Sequence, residues 1–569
     1  MNDHFEVLPL GGIGEFGMNC TVLRYADEMI LIDAGITFPS GVLGTELGVE
    51  TIVPNISFLR ENRQKLQGIL LTHGHEDHIG SVPYVINEIP VPIFATALTL
   101  ELVREKLRER QLLDTADLRQ IEARQVFTIG AFTIDPIHVA HSFPDALGFA
   151  ISTSSGCIIW TGDFKFDQTP IDGKVTDMVR LSEYGEKGVL ALFSDSTNSE
   201  VPGLASSEFT MYEVLRNLFA KAKKKIIVGS FSSSIHRIQI ILDLAKELGR
   251  KVAPIGRSMI SNIRIAANLN YLHIPSDLLI SASKIKKYPS QEILILATGT
   301  QGEPRAALSR MAVNELKRTE VEEGDLIIIS ARIIPGNEKL VANMTNHFYK
   351  HGAQVYDSRT NLVHASGHGH QDDLKLMINL TRPKFFVPIH GEFRQLKNHT
   401  ALAQNQGIPA DHVTIIENGD ILRLTRDSSE IIGQVTTGRR FIDKGISKEV
   451  HEIILRDRHY LSEDGFVVLV LPMNSSTGEL TADPEMVSRG FVLMDTSEEL
   501  IAATLDQVKM LVTNTSIEKK QDQEIFKEIL RSSLKRFLRK QTGKRPIILP
   551  VIVEIELFQT PNSKSQTTT

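Results

Sequence analysis

One stretch constrains this chain more than any other: Leu70-Leu71-Thr72-His73-Gly74-His75-Glu76-Asp77-His78-Ile79-Gly80. Three imidazoles and two carboxylates fall within six residues, directly behind the apolar run Gly68-Ile69-Leu70-Leu71. A short apolar run closed by a glycine-containing turn reads as a buried strand. The polar cluster therefore occupies a loop at a strand's C-terminal end, where α/β sheets carry their chemistry. His73 and His75 alternate, so an extended segment points both the same way. Asp77 and His78 enter the following turn or helix and face a second position. One zinc ion takes about three or four ligands of this kind. Four candidates in six residues, facing two ways, suggest two metal ions side by side.

At 569 residues the chain is too long for one core, and roughly three to four domains are expected. Hydrophobic (42%) and charged (23%) fractions are those of a globular protein and exclude disordered and fibrous classes. Two cysteines, Cys20 and Cys157, are too few for a disulfide framework and fit a reducing cytoplasm. The start, Met1-Asn2-Asp3-His4-Phe5, lacks a basic segment followed by an apolar one, so no signal peptide is expected. No apolar run is long enough to span a bilayer, so no membrane partner is expected. The net charge of −7 argues against a basic coat over the whole surface, while leaving room for a local basic channel.

Residues 5 to about 60 read as β-rich. The cluster Gly11-Gly12-Ile13-Gly14-Glu15-Phe16-Gly17 is not followed by a helix pattern, which argues against a dinucleotide-binding turn. Residues 95–125 carry Leu, Glu, Arg and Lys at helical spacing, and strands return at 132–134, 150–152 and 157–160. From 209 helices and strands alternate: helices over 209–222, 235–248 and 258–270, strands over 225–230, 251–255, 292–297 and 325–330. That is a βαβ-type unit with its own sheet. A further strand, 384–389, ends at His390-Gly391-Glu392. Residues 426–450 are polar and irregular and read as a linker. A last α/β unit over about 451–558 closes with a proline-bearing strand suited to a sheet edge, and 559–569 reads as a disordered tail.

Four more acidic or histidine residues follow apolar strands beside glycine or proline turns: Asp33, His141, Asp163 and His390. Any one alone is more simply a turn or capping residue; together they recur too regularly for that. With the His-x-His-x-Asp-His box they resemble the motif set of the metallo-β-lactamase superfamily. The similarity is closer still to the ribonuclease J family. It runs over nearly the whole chain, through Gly11–Glu15, Thr72–Gly80, Thr161–Asp167, Ser194–Asn198, Thr298–Pro304, His364–Gly369, Pro388–Glu392 and Ser488–Val492.

The resemblance implies an α/β chain: a metallo-β-lactamase αββα sandwich with an inserted β-CASP α/β domain and a small C-terminal α/β domain. Its boundaries would be 1–208 and 371–425 for the sandwich, 209–370 for the insert, 426–450 for the linker and 451–558 for the C-terminal domain. It implies that His73, His75 and His141 hold one zinc ion, Asp77, His78 and His390 a second, and that Asp163 bridges both, with manganese as the alternative ion. Asp33 would orient a histidine rather than touch metal. Asp195 and His368 match residues proposed for proton transfer; a leaving 3′-oxygen needs a proton, and which of the two donates it stays open. Ser232, Ser233 and Ser234, before a helix, and His364, Ala365, Ser366, Gly367 and His368 would bind phosphate. Plain N-capping is the competing account of the serines. Gly369 stands where many relatives carry alanine. Some relatives have a structural calcium site near the positions of Gly48, Glu50 and Asp443.

The implied activity is a cytoplasmic ribonuclease for mRNA decay and rRNA maturation, with endonuclease and 5′-to-3′ exonuclease modes. It would prefer RNA bearing a 5′-monophosphate and act as a homodimer or homotetramer, with room for a paralogue. Small-molecule hydrolases share the His box but have no need of an insert over the site. DNA nucleases with the same insert are the nearer rival, separated by readout of 2′-hydroxyls. A scaffold with a vestigial site is disfavoured by the complete ligand set. Basic residues Lys221–Lys225, Arg257, Lys284–Lys287 and Arg332 collect in the insert, and Arg257 and Arg332, beside strand ends, are expected to face its channel.

Overall fold

Alternation along the first strands explains the layers. In Phe5–Gly11, Phe5 and Val7 belong to one buried cluster, Leu8 and Leu10 to another. Leu23, Ile30, Ile32 and Leu70 join the first, while Val22, Met29, Leu31 and Ile69 join the second. A period of two sends alternate side chains to opposite faces, so this sheet is buried on both. The computed structural model describes residues 4–39, 47–334, 336–443, 449–450, 452–492 and 497–555. They fall into two units, Met1–Gly41 with Glu50–Ile442, and Val42–Val49 with Asp443–Thr569.

In the larger unit an eight-stranded sheet runs in the order 429–434, 420–424, 5–11, 20–25, 28–32, 66–70, 93–95, 118–120. A six-stranded sheet faces it, in the order 383–389, 189–195, 156–160, 147–153, 132–138, 127–129. Phe5, Val7, Leu23 and Ile32 from one sheet meet Phe149, Trp160, Phe193 and Val387 from the other in a shared core. Helices Val82–Glu88 and Ala97–Glu109 cover the first sheet, and Met178–Lys187, Gln371–Thr381 and Phe393–Asn405 the second. The result is the αββα sandwich.

The insert is a five-stranded parallel sheet ordered 251–255, 293–297, 226–229, 326–329, 354–357. Its three central strands, 293–297, 226–229 and 326–329, are near-continuous runs of Ile, Leu and Val, as burial on both faces requires. One face packs on Leu308, Met311, Val341 and Phe348. The other packs on Met211, Leu215, Ile238 and Ile241, in a cluster continuous with the first sheet's outer face.

The smaller unit has Phe466–Asn474 at the centre of a three-stranded sheet, antiparallel to Glu485–Arg489 and parallel to Ile547–Ile555. The last strand is an edge, as its prolines predict. Val467, Leu469 and Leu471 pack against Phe526, Leu530, Leu534 and Leu538 of helix Gln523–Thr542.

Two expectations need correction. Residues 426–450 are not simply irregular: Ser429–Gln434 pairs antiparallel with Asp420–Leu424, and Arg439–Asp443 is a strand. Thr425 Oγ1 accepts from the Asp427 and Ser428 amides and so closes a hairpin. Ile431 and Ile432 stay exposed, so no burial pattern marks the strand. The helix in 95–125 stops at Glu109, because Gln111 turns left-handed (φ 59°) and a strand forms at Leu118–Gln120. Among the described residues no helix is long and apolar enough to cross a membrane.

Candidate active site

The His box leaves strand Leu66–Leu70 as extended chain and closes in the short helix Glu76–Ile79. Its backbone is fastened from outside. The Asp77 carbonyl accepts from the Asn19 amide, the His78 carbonyl from Ala34 and the Glu76 carbonyl from Ile36. Gly35 lies so close to the Asp77 carbonyl that any Cβ would overlap it. The backbone that carries His75 and Asp77 is therefore held by the segments that flank neighbouring strands as well as by its own loop.

The structure brings all seven expected ligands together. His73, His75, His141 and Asp163 form one group whose ligand atoms lie within 4.8 Å of one another; Asp77, His78, Asp163 and His390 form a second. Asp163 Oδ2 lies 3.6 Å from His73 Nε2, 3.9 Å from His141 Nε2 and 3.2 Å from His78 Nε2, and Oδ1 lies 3.7 Å from His390 Nε2. Among the described residues, every group close enough to share a metal ion contains Asp163.

Ring protons are turned away from this centre. His78 Nδ1 donates to Asp33 at 2.7 Å, and His141 Nδ1 to the Gly367 carbonyl at 2.7 Å. Thr72 Oγ1 donates to Asp33 Oδ2 and so receives His73 Nδ1–H at 3.0 Å. Thr197 Oγ1 donates to Asp195 and receives His390 Nδ1–H at 2.7 Å. His75 instead presents Nδ1, 2.9 Å from His73 Nε2 and 3.2 Å from His141 Nε2. Imidazole lone pairs and carboxylates that converge this way suit a divalent cation, and partners that fix the tautomer belong to such sites.

Electrostatics agree. Burial, helped by neighbouring imidazoles, holds His73 and His141 well below the ordinary histidine range; burial takes His75 to about 4, with Asp77 and Asp163 opposing. These three are therefore neutral near pH 7, as candidate metal ligands must be. Burial, the largest single influence, would lower His78 and His390 too, but the surrounding carboxylates together outweigh it and both are raised: Asp163, Asp77 and Asp33 for His78, and Asp163, Asp195 and Asp77 for His390. Their extra positive charge balances Asp77 and Asp163, which are themselves held low against the effect of burial. A bound cation provides the same balance.

Beside the centre, His368 Nδ1 lies 2.8 Å from Asp195 Oδ2. Asp195 Oδ1 accepts from the Thr197 amide and hydroxyl, so both oxygens are engaged. Burial raises Asp195, but the His368 imidazole and hydrogen bonds from His368 and His390 outweigh it and keep the carboxylate ionised. The 364–369 loop is pinned from both sides. Asn198 donates to Ser366 Oγ and the His368 carbonyl, the Gly369 amide donates to Phe164, and Arg237 and Ser330 donate to the Val363 carbonyl. Arg237 itself is buried and paired with Glu208 through two 3.0 Å bonds. His364 is taken to about 3 by burial and by the Arg237 and Arg332 charges.

Ser234 occupies the N-cap of helix Ile235–Glu247, yet no side chain caps that helix, so capping does not account for the serines. Arg332 is exposed and donates to Asn198 at 2.7 Å; Arg257 is exposed at a helix start. Lys225 is buried between Asp325 and Glu322 and serves the fold. Asp443 accepts from Arg458 at 2.7 Å, and Glu50 is exposed. Sequence reasoning passed over Thr72, Thr197, Asn198 and Arg237 as individual actors. The first three lay inside motifs already singled out, and Arg237 lies on the helix that the three serines precede.

Family models match almost end to end. The metallo-beta-lactamase superfamily covers 13–198, the ribonuclease J beta-CASP domain 223–348, the Zn-dependent metallo-hydrolase RNA specificity domain 353–413 and the ribonuclease J C-terminal domain 453–555. The chain is 40% identical to ribonuclease J of Thermus thermophilus (97% of this chain, 96% of that one) and 39% identical to ribonuclease J of Synechocystis sp. (98% and 89%). It is 36% identical to ribonuclease J2 of Bacillus subtilis (97% and 99%). A crystal structure of a protein of unknown function from Enterococcus faecalis shares the fold, with a TM-score of 0.52, 16% identity and coverage of 74% of this chain and 100% of that one.

Proposed function

Because this chain belongs to the ribonuclease J family, we propose that its Asp163-centred cluster holds two divalent ions and that RNA is cut beside them, inside chains and from 5′-monophosphate ends. The chain is a metal-dependent ribonuclease with endonuclease and 5′-to-3′ exonuclease activity, serving mRNA decay and rRNA maturation. RNA is its partner.

His73, His75 and His141 would hold one ion, Asp77, His78 and His390 the other, with Asp163 between them. Histidine-rich ligation favours zinc, and the bridging carboxylate tolerates manganese. When bound, such a pair supplies Lewis acidity toward phosphoryl oxygen and water ionised near neutral pH. The protein's own share is proton handling and register. We assign the proton donor to His368: Asp195 is ionised and fully engaged, so it can orient the imidazole but has no proton to give. Ser232–Ser234 and the 364–368 loop would seat the 5′-terminal phosphate and so set where each cut falls. Self-association through residues 451–558 and action in the cytoplasm complete the reading.

The carrying observation is the convergence of six candidate ligands on Asp163, itself the seventh, with the Asp195–His368 pair alongside. The test uses one 3′-labelled RNA bearing either a 5′-monophosphate or a 5′-triphosphate, with and without chelator. Metal-dependent loss, faster on the monophosphate, is the expected result. Equal rates would remove the end pocket, and no cutting by metal-loaded protein would remove the nuclease.

A further inference from the structure

Helix Gln523–Thr542 changes character halfway along. In its first half each cation has an acid beside it: Lys527 pairs with Glu524 at 2.9 Å and Arg531 with Glu528 at 2.6 Å. Residues 532–545 then hold six cations, Lys535, Arg536, Arg539, Lys540, Lys544 and Arg545, and no acid, in a chain whose net charge is −7. Lys544 donates to the Phe491 carbonyl. Lys535, Arg536, Arg539 and Lys540 are exposed and make no ion pair among the described residues.

Their spacing is informative. The core stripe is Phe526, Leu530, Leu534 and Leu538, so the four cations occupy the opposite side of the helix. Lys535 with Arg539, and Arg536 with Lys540, are like charges four residues apart, which disfavours the helix. The helix C-terminus attracts cations only in its last turn, which covers Arg539 and Lys540 but leaves Lys535 and Arg536 unexplained. Side chains four apart on a helix sit about 6 Å from one another, a compact array of charge for a flexible polyanion. Arginine adds a fork that fits phosphate oxygens in pairs.

We propose that this half-helix is a second RNA-binding surface, one that takes the sugar–phosphate backbone without reading sequence and holds long substrates. The proposal rests on the ribonuclease reading of the larger unit. It commits to RNA rather than an acidic protein because RNA is the polyanion this chain handles.

The experiment uses the full-length protein in chelator, so that RNA is bound and not cut. Lys535, Arg536, Arg539 and Lys540 are all changed to Gln, a good helix former. A second variant, Arg536→Lys with Arg539→Lys, keeps the charge. Circular dichroism checks that both retain the fold. Fluorescence anisotropy then reports binding to 5′-monophosphorylated RNAs of two lengths, one filling only the active-site channel and one several times longer. The glutamine variant should bind the long RNA about tenfold more weakly. Its slope of log affinity against log salt should be shallower by about 3, since each single-strand phosphate contact contributes about 0.7. Short-RNA affinity should be unchanged, and the lysine variant should match the parent. Unchanged long-RNA affinity and slope would overturn the proposal, and so would an equal loss on both lengths. A parent protein that binds neither RNA would overturn it together with the reading beneath it.

Discussion

The candidate catalytic residues at the strand ends of the metallo-β-lactamase sandwich and the candidate RNA-contacting residues beside the inserted sheet are in opposite states. In the sandwich, Asp33, His73, His141, Asp163, Asp195 and His390 are all buried, and each has a defined partner. In the insert, Ser232, Ser233 and Ser234 are only half-buried and do not cap the helix they precede, and Arg257 and Arg332 are exposed. Buried groups held by such partners keep one geometry, which metal-assisted chemistry requires. Exposed groups with donors to spare can adapt to a moving chain, which suits a substrate that advances between cuts.

The sharpest attack on that contrast is at its centre. Asp163→Ala removes the residue common to every metal-capable group and should lower cleavage by at least about 10³-fold, with metal content measured by mass spectrometry falling in parallel. Retained metal would separate the ligand set from Asp163. Next comes the proposed proton donor. His368→Ala should cost about 10²–10⁴-fold in turnover with little change in RNA affinity. Asp195→Asn should cost less, because it misorients the donor without removing it, and the reverse order would reassign the two roles.

Third is a partner of a ligand. Asp33→Asn leaves all seven ligands in place yet should weaken metal affinity about 10–100-fold, read by chelator competition. Unchanged affinity would mean that Thr72 alone positions His73 and His78. The smallest effect belongs to the insert: Ser233→Ala should leave internal cleavage intact and reduce the preference for a 5′-monophosphate only a few-fold. A loss as large as that of Asp33→Asn would erase the distinction between the two regions.

Legibility followed the same division. The His box could be read directly, because strand, turn and ligands are consecutive residues. Asp163, His141 and His390 could be placed at strand ends, but their grouping depends on sheet order. The fixing of tautomers lay beyond local pattern: His141 meets Gly367 across 226 positions and His390 meets Thr197 across 193. The exposed strand Ser429–Gln434 was missed because nothing in it is buried periodically, and the choice between Asp195 and His368 waited on knowing how many bonds each already makes.

One contact reaches further than its size suggests. The Gly367 carbonyl that receives the His141 proton comes from the last loop of the insert, and a Cβ on Gly367 would come within 2.5 Å of the His141 ring. The frame of the catalytic hydrolase is thus completed by chain that belongs to the end of the insert itself. Excising residues 209–370 would not uncover a simpler ancestor waiting beneath; it would leave the third histidine with no one to hold it. Any exchange of inserts between relatives, in evolution or by engineering, has to keep that loop at the end of the domain it closes.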